Sequence, residues 1–130
     1  MTTDLWMLTM TAVLNLSLPI VAVVALQLSP GGLQYGLGNR DTDFPLPAWA
    51  ERSKRAHSNL TENLAIFAVL VLVAHVSGRA NETTALASTI YLLARIAHAA
   101  VYILGIKVVR TLIFFVGVAA EVMIVAQLFG

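Results

Sequence analysis

The chain contains no cysteine and little charge, and each shortage excludes a class of protein. Without cysteine there is no disulfide, no thiolate metal site and no cysteine nucleophile. Any thiol chemistry therefore needs a thiol that arrives with a substrate. Only 12% of the residues are charged, which is about half the share of a soluble domain. The net charge of +1 provides no electrostatic footprint for nucleic acid.

The motifs of several common enzyme classes are also missing. The sequence has no serine nucleophile elbow, no phosphate-binding loop and no pair of carboxylates at hydrolase spacing. The three histidines, His57, His75 and His98, lack the spacing of metal ligands. We therefore predict no metal site.

Long apolar stretches dominate what is present. Apolar residues make up 58% of the 130 positions, and four stretches reach the length of about 20 residues that crosses a bilayer. The first follows Asp4 without a basic segment, so we expect a retained helix and not a cleaved signal peptide. We predict an all-α integral membrane four-helix bundle, a single domain over residues 1–130, with spans at residues 5–28, 60–76, 84–104 and 108–129.

Breaker residues mark the connections between these spans. Proline and glycine are frequent within residues 29–48, which predicts a loop, and Pro47 suits the start of the second helix. Thr83 or Thr84 is the expected cap of the third helix, and Gly105 marks the turn before the fourth.

Basic residues predict the orientation in the membrane. One side carries six of them and the other side only Arg79, so the positive-inside rule places both termini outside and the first and third loops in the cytoplasm. The six are Arg40, Arg52, Lys54, Arg55, Lys107 and Arg110.

A polar stripe leads into the second span. At about 100° per residue, its four members share less than a quarter of the helix circumference. Charges and amides at the edge of a bilayer need partners or a ligand, so this stripe is the strongest sequence indication of a binding site. Its members are Arg52, Arg55, Asn59 and Glu62.

One face of the third helix carries Tyr91, Arg95, His98 and Tyr102. Arg95 lies near mid-helix and requires a counter-charge in the membrane. Glu62 is the expected partner, whereas Glu121 on the fourth helix is an alternative that is either paired or protonated. The competing interpretation of Arg95 is an ion pair that only fixes helix packing. Arg110, taken alone, is compatible with an anchor that reaches the lipid headgroups.

Two motifs together resemble a known family. The run Arg-Ala-His-x-Asn-x-x-Glu at residues 55–62 and the run Arg-x-Ala-His-x-x-x-Tyr at residues 95–102, followed by Arg110, are similar to the membrane-associated proteins in eicosanoid and glutathione metabolism (MAPEG). The resemblance covers essentially the whole chain. The two runs are similar to the prostaglandin synthase branch, whereas the loop at residues 38–41 and the short termini look more like bacterial members of the microsomal glutathione transferase-like type. The resemblance implies a homotrimer in a bacterial inner membrane.

The resemblance implies a glutathione-dependent transferase or peroxidase acting on a lipophilic small molecule, with glutathione as co-substrate at the cytoplasmic face. Arg110 would stabilise the thiolate as the catalytic residue. Arg95 would orient Glu62. The implied glutathione-binding residues are Arg52, Arg55, Asn59, Glu62, Arg95, His98, Tyr102 and Thr111.

The chain departs from the family pattern in three ways. Ala65 stands where the family often has proline, and Phe114 where it often has tyrosine. The arginines that directly follow the first helix in several eukaryotic members are missing, and Arg40 is the only substitute within residues 29–48. A non-catalytic member that binds a lipid or serves a structural role is therefore the alternative function. A small proton-coupled exporter is disfavoured, because the first span has only Asn15 and Ser17 in its core and no carboxylate there.

Overall fold

The computed structural model describes all of residues 1–130 and contains five helices and no strand. Four of the helices are long and apolar enough to cross a membrane, with 23 to 29 residues each. The predicted four-span organisation is therefore confirmed. The helices are α1 (Thr3–Leu28), α2 (Gly32–Leu37), α3 (Ala48–Val76), α4 (Glu82–Leu104) and α5 (Lys107–Phe129).

The central helices of the bundle are α3 and α4. Each of them packs against α1 and α5, whereas α1 and α5 do not touch each other. One core cluster joins α3, α4 and α5 around Phe67, Tyr91 and Ile124, and a second joins α1, α3 and α4 around Leu18 and Leu60. Many large apolar side chains stay exposed on the outer faces, as expected of helices that contact lipid or neighbouring subunits.

The first connection differs from the predicted loop because it contains the short helix α2. Gly31 precedes α2 with a φ of 76°, a conformation that glycine adopts without strain, and Gly38 ends it in extended geometry. The Tyr35 hydroxyl then donates to the Thr42 carbonyl at 2.6 Å and folds the remaining loop back. The long helix that carries the second predicted span begins directly after Pro47, as predicted.

The cap of α4 also differs from the prediction. Asn81, and not Thr83 or Thr84, is the N-cap, and its side chain accepts from the backbone N–H groups of both threonines. Thr84 completes a capping box because its hydroxyl accepts from the Asn81 N–H at 2.9 Å. At the other end, Gly105 terminates α4 with a φ of 82°, which confirms the predicted turn.

Candidate functional site

A small cavity of about 310 Å³ opens between α3, α4 and the start of α5. This volume lies at the lower end of the range of small-molecule sites. Five of the nine predicted site residues meet here, together with two phenylalanines. The lining consists of Asn59, His98, Tyr102, Arg110, Thr111, Phe114 and Phe115.

The Tyr102 ring lies against the Arg110 guanidinium in this cavity. Its Cζ lies 4.5 Å from the centroid of the Tyr102 ring, a cation–π distance. Tyr102 in turn meets His98 edge-on, with ring centroids 5.6 Å apart. No carboxylate comes within ion-pair distance of Arg110. Its donors therefore remain available for an anionic ligand.

The cavity also lies near the N-terminal end of α5, whose first lining residue is Arg110. Arg110 lies in the first turns of this helix, which contain no acidic residue, and Ile106 at the N-cap provides no side-chain cap. The unsatisfied N–H groups and the aligned peptide dipoles give such a helix end a partial positive charge. The positive potentials of the α5 N-terminus and of the Arg110 guanidinium therefore add near the cavity, which favours the binding of an anion.

A larger cavity of about 950 Å³ lies on the opposite side of α3, against α1 and the first connection. Its polar wall carries both signs of charge, including Arg40, Lys54 and Glu62, and its opposite wall is formed by apolar residues of α1. Glu62 thus opens onto the larger cavity while Asn59 lines the smaller one. Within one chain, α3 separates two residues that the sequence placed on one stripe.

A sequence model of the MAPEG family matches residues 5–130. The chain belongs to the MAPEG family. Four membrane-length helices and this membership identify an integral membrane protein. The family includes glutathione transferases and peroxidases as well as non-catalytic members. No match to this MAPEG chain is found among curated proteins.

In this MAPEG protein Arg52 performs a structural task that the sequence did not reveal. Its Nε donates to the Ile103 carbonyl at 2.7 Å, and its Cζ lies 3.4 Å from the position that a Cβ of Gly105 would occupy. An arginine here satisfies a carbonyl of the last turn of α4 and complements the negative end of that helix. Arg52 lines neither cavity.

The expected ion pair between Arg95 and Glu62 does not form in this chain. Arg95 is only 2% exposed, and its Nη2 donates to Asn63 Oδ1 at 3.2 Å, whereas Glu62 is exposed. The two α3 positions differ by about 100° around the helix, and Asn63 is the one that faces α4. Arg95 also has no carboxylate within 4.0 Å, so Glu121 does not pair with it directly either.

The remaining predicted residues are accessible. Arg55 is exposed and lines neither cavity. Thr111 is exposed at the mouth of the smaller cavity, where its hydroxyl lies 3.5 Å from the Lys107 carbonyl. The sequence also failed to indicate Asn63, which carries the one hydrogen bond of the Arg95 side chain. An amide inside an apolar span was the available signal for it.

Proposed function

We propose that this MAPEG protein is a membrane-bound glutathione-dependent transferase or peroxidase with Arg110 as the thiolate-stabilising residue. The observation that supports this most is the unpaired Arg110 guanidinium at the N-terminus of α5, inside a cavity that Asn59, His98 and Tyr102 also line. A cation that only anchored the helix in the headgroups would not need such surroundings.

The chemistry requires an ionised thiol. A free thiol has a pKa of about 8.5 and is therefore mostly protonated at neutral pH. A guanidinium and a helix N-terminus beside the sulfur both favour the thiolate. A lowering of that pKa by two units corresponds to about 2.7 kcal/mol of differential stabilisation. Thr111, next to Arg110, offers a hydroxyl that can donate to the sulfur.

Glutathione carries two carboxylates and one ammonium group, and the polar stripe matches these charges. Arginine clamps a carboxylate with two parallel hydrogen bonds, and a glutamate accepts from an ammonium. We assign Arg55, Asn59 and Glu62 to the charged and amide ends of glutathione, with His98 and Tyr102 along its length. Arg52 and Arg95 would contribute indirectly, by holding the helices that carry these groups.

This assignment includes a homotrimer. In a single chain Glu62 and Asn59 open onto different cavities, and Arg55 and Glu62 are exposed on a membrane helix. Exposed charges near a bilayer are costly unless another subunit or a ligand covers them. We therefore propose that the glutathione site is completed between subunits, where one chain supplies the Arg110 cavity and its neighbour supplies part of the stripe.

Two reactions are open to the thiolate. In a transfer, the sulfur forms a bond to an electrophilic carbon, the leaving group departs with the bonding electrons, and the thiol proton passes to water. With a hydroperoxide, the sulfur attacks the terminal oxygen, the O–O bond breaks, and the protonated alkoxide leaves as an alcohol. A second glutathione then converts the sulfenic acid to glutathione disulfide and water.

The alternative is a non-catalytic trimeric member that binds a lipid or only serves a structural role. The commitment of Arg52 and Arg95 to contacts inside the chain favours it, because these two members of the motif already have structural partners. The two functions differ in one observable, the ionisation of bound glutathione.

An ultraviolet titration of the purified protein in detergent distinguishes them. We expect glutathione to produce a saturable thiolate absorbance band that Arg110→Ala abolishes and Glu62→Gln weakens through lower affinity. Lys107→Ala is the matched control. It removes a cation from the same helical turn, but Lys107 lines neither cavity. No band with the folded wild-type oligomer, or equal loss in both cation variants, would contradict the proposal and favour the non-catalytic alternative.

A further inference from the structure

A cluster of polar side chains lies inside the bundle, and none of its members lines either cavity. We call Asn63, Tyr91, Arg95 and Glu121 the buried polar cluster. Tyr91 is fully buried, Arg95 is 2% exposed and Glu121 is 7% exposed. They come from α3, α4 and α5, so the cluster connects the three helices that also form the smaller cavity.

Several atoms of this cluster have no hydrogen-bond partner in the protein. They are Arg95 Nε and Nη1, the Tyr91 hydroxyl and Glu121 Oε1, and all are buried within the single chain. In the single chain these atoms are therefore out of contact with solvent. The set contains donors on the arginine and an acceptor on the glutamate, and unsatisfied buried groups of this kind are costly.

The charge of Arg95 makes the same demand. A guanidinium does not lose its proton inside a protein, so a buried Arg95 requires a negative charge. Only two carboxylates of the chain are buried, Asp4 and Glu121. Asp4 accepts a hydrogen bond from Ser88 at 3.2 Å. Ser88 lies about two helical turns from Arg95 along α4. Glu121 remains as the candidate counter-ion, although its carboxylate is not within 4.0 Å of the Arg95 side chain.

Gly117 explains why Arg95 stays where it is. Its Cα lies against the guanidinium, and a Cβ at this position would come within 2.8 Å of Arg95 Nη2. The Arg95 Cζ also lies 4.7 Å from the Tyr91 ring centroid and 5.3 Å from that of Phe114. Glu121 follows Gly117 by one turn on the same face of α5, so it points to the same space.

We propose that Glu121 is the counter-ion of Arg95, and that this buried pair positions the wall of the smaller cavity. Arg95 transmits the effect through Phe114, whose ring centroid lies 6.2 Å from that of His98. The pairing is independent of the proposed function, whereas its effect on thiolate formation rests on that function.

A double-mutant cycle tests the pairing. We expect Arg95→Gln and Glu121→Gln each to lower the apparent Tm in detergent, because each leaves one buried charge uncompensated. The double variant should lose clearly less than the two single losses together. Asp4→Asn is the matched control, since it removes the other buried carboxylate, and its effect should add to that of Arg95→Gln. Additive effects in the Glu121 cycle would overturn the pairing.

Infrared spectroscopy decides the same question with one folded variant. The difference spectrum between wild type and Glu121→Gln should show the loss of an ionised carboxylate. The loss of a protonated carboxylic acid band instead would overturn the counter-ion role. This measurement holds even where Arg95→Gln does not fold.

The positioning role has its own measurement. Glu121→Gln should weaken the thiolate band of bound glutathione at least several-fold, Glu121→Asp should restore part of it, and Asp4→Asn should leave it unchanged. An unchanged band in Glu121→Gln would overturn the positioning role. If the wild type gives no band, the proposed function fails, while the Tm cycle and the infrared spectrum still decide the pairing.

Discussion

Replacing Gly117 by alanine tests how closely α5 approaches the Arg95 side chain. In a water-soluble helix this change reduces the conformational freedom of the unfolded chain and stabilises the helix by about 1 kcal/mol, and we take this value as the upper limit of the gain here. Here the new Cβ would lie 2.8 Å from Arg95 Nη2 and 3.1 Å from its Cζ. One of the two has to move.

The arginine has little room to move. Arg95 is 2% exposed, and its guanidinium lies against the Tyr91 and Phe114 rings. Its Nη2 also donates to Asn63 Oδ1 at 3.2 Å. Overpacking of a filled core costs about 1–3 kcal/mol, and a lost hydrogen bond from a charged donor costs about 1.5–3 kcal/mol. After subtraction of the gain in helix propensity, we expect a net loss of about 1.5–5 kcal/mol.

Thermal unfolding in detergent micelles measures this loss as a decrease in apparent Tm of about 6–20 °C, at roughly 4 °C per kcal/mol. Gly36→Ala is the matched control, because a Cβ at Gly36 would meet Leu26 Cδ2 at an ordinary 3.4 Å and φ is not positive there. We expect the control to keep or raise the Tm. A Gly117→Ala protein as stable as the control would refute the close approach.

Two further predictions concern helix ends. Arg52→Ala should lower the apparent Tm by about 4–8 °C through loss of the hydrogen bond to the Ile103 carbonyl. The control Lys54→Ala, at an exposed ion pair, should change the Tm by less than about 2 °C. Equal effects of the two variants would contradict the capping role of Arg52. Asn81→Ala should lower the Tm by a similar amount by removing the capping box, and hydrogen exchange should quicken in the first turn of α4. Unchanged exchange there would contradict it.

The four spans were predictable because the membrane imposes a requirement that is local in sequence. A membrane-spanning helix needs about 20 apolar residues, and the turns between spans need glycine, proline or a capping side chain. Both features are visible in one sequence. The short helix α2 was not predictable in this way. Its six residues contain too few positions for a periodic pattern, and it depends on the conformation of Gly31.

The candidate site was predictable in its residue types and less so in its grouping. Helical periodicity correctly placed His98 and Tyr102 on one face, and the cavity that they share with Arg110 agrees with that. The same periodicity placed Asn59 and Glu62 together, but α3 separates them into two cavities because the neighbouring helices divide its circumference.

The sequence by itself determined that this is a membrane protein, how many long helices it has and where they begin and end, and to which family it belongs. These properties follow from composition and from the order of residues along the chain. Only the tertiary structure decided the partners of the charged groups. Arg52 binds a carbonyl of α4, and Arg95 binds Asn63 instead of Glu62. A charge in a bundle selects the partner that the rotation and depth of neighbouring helices bring within reach, and no spacing within one helix specifies that rotation.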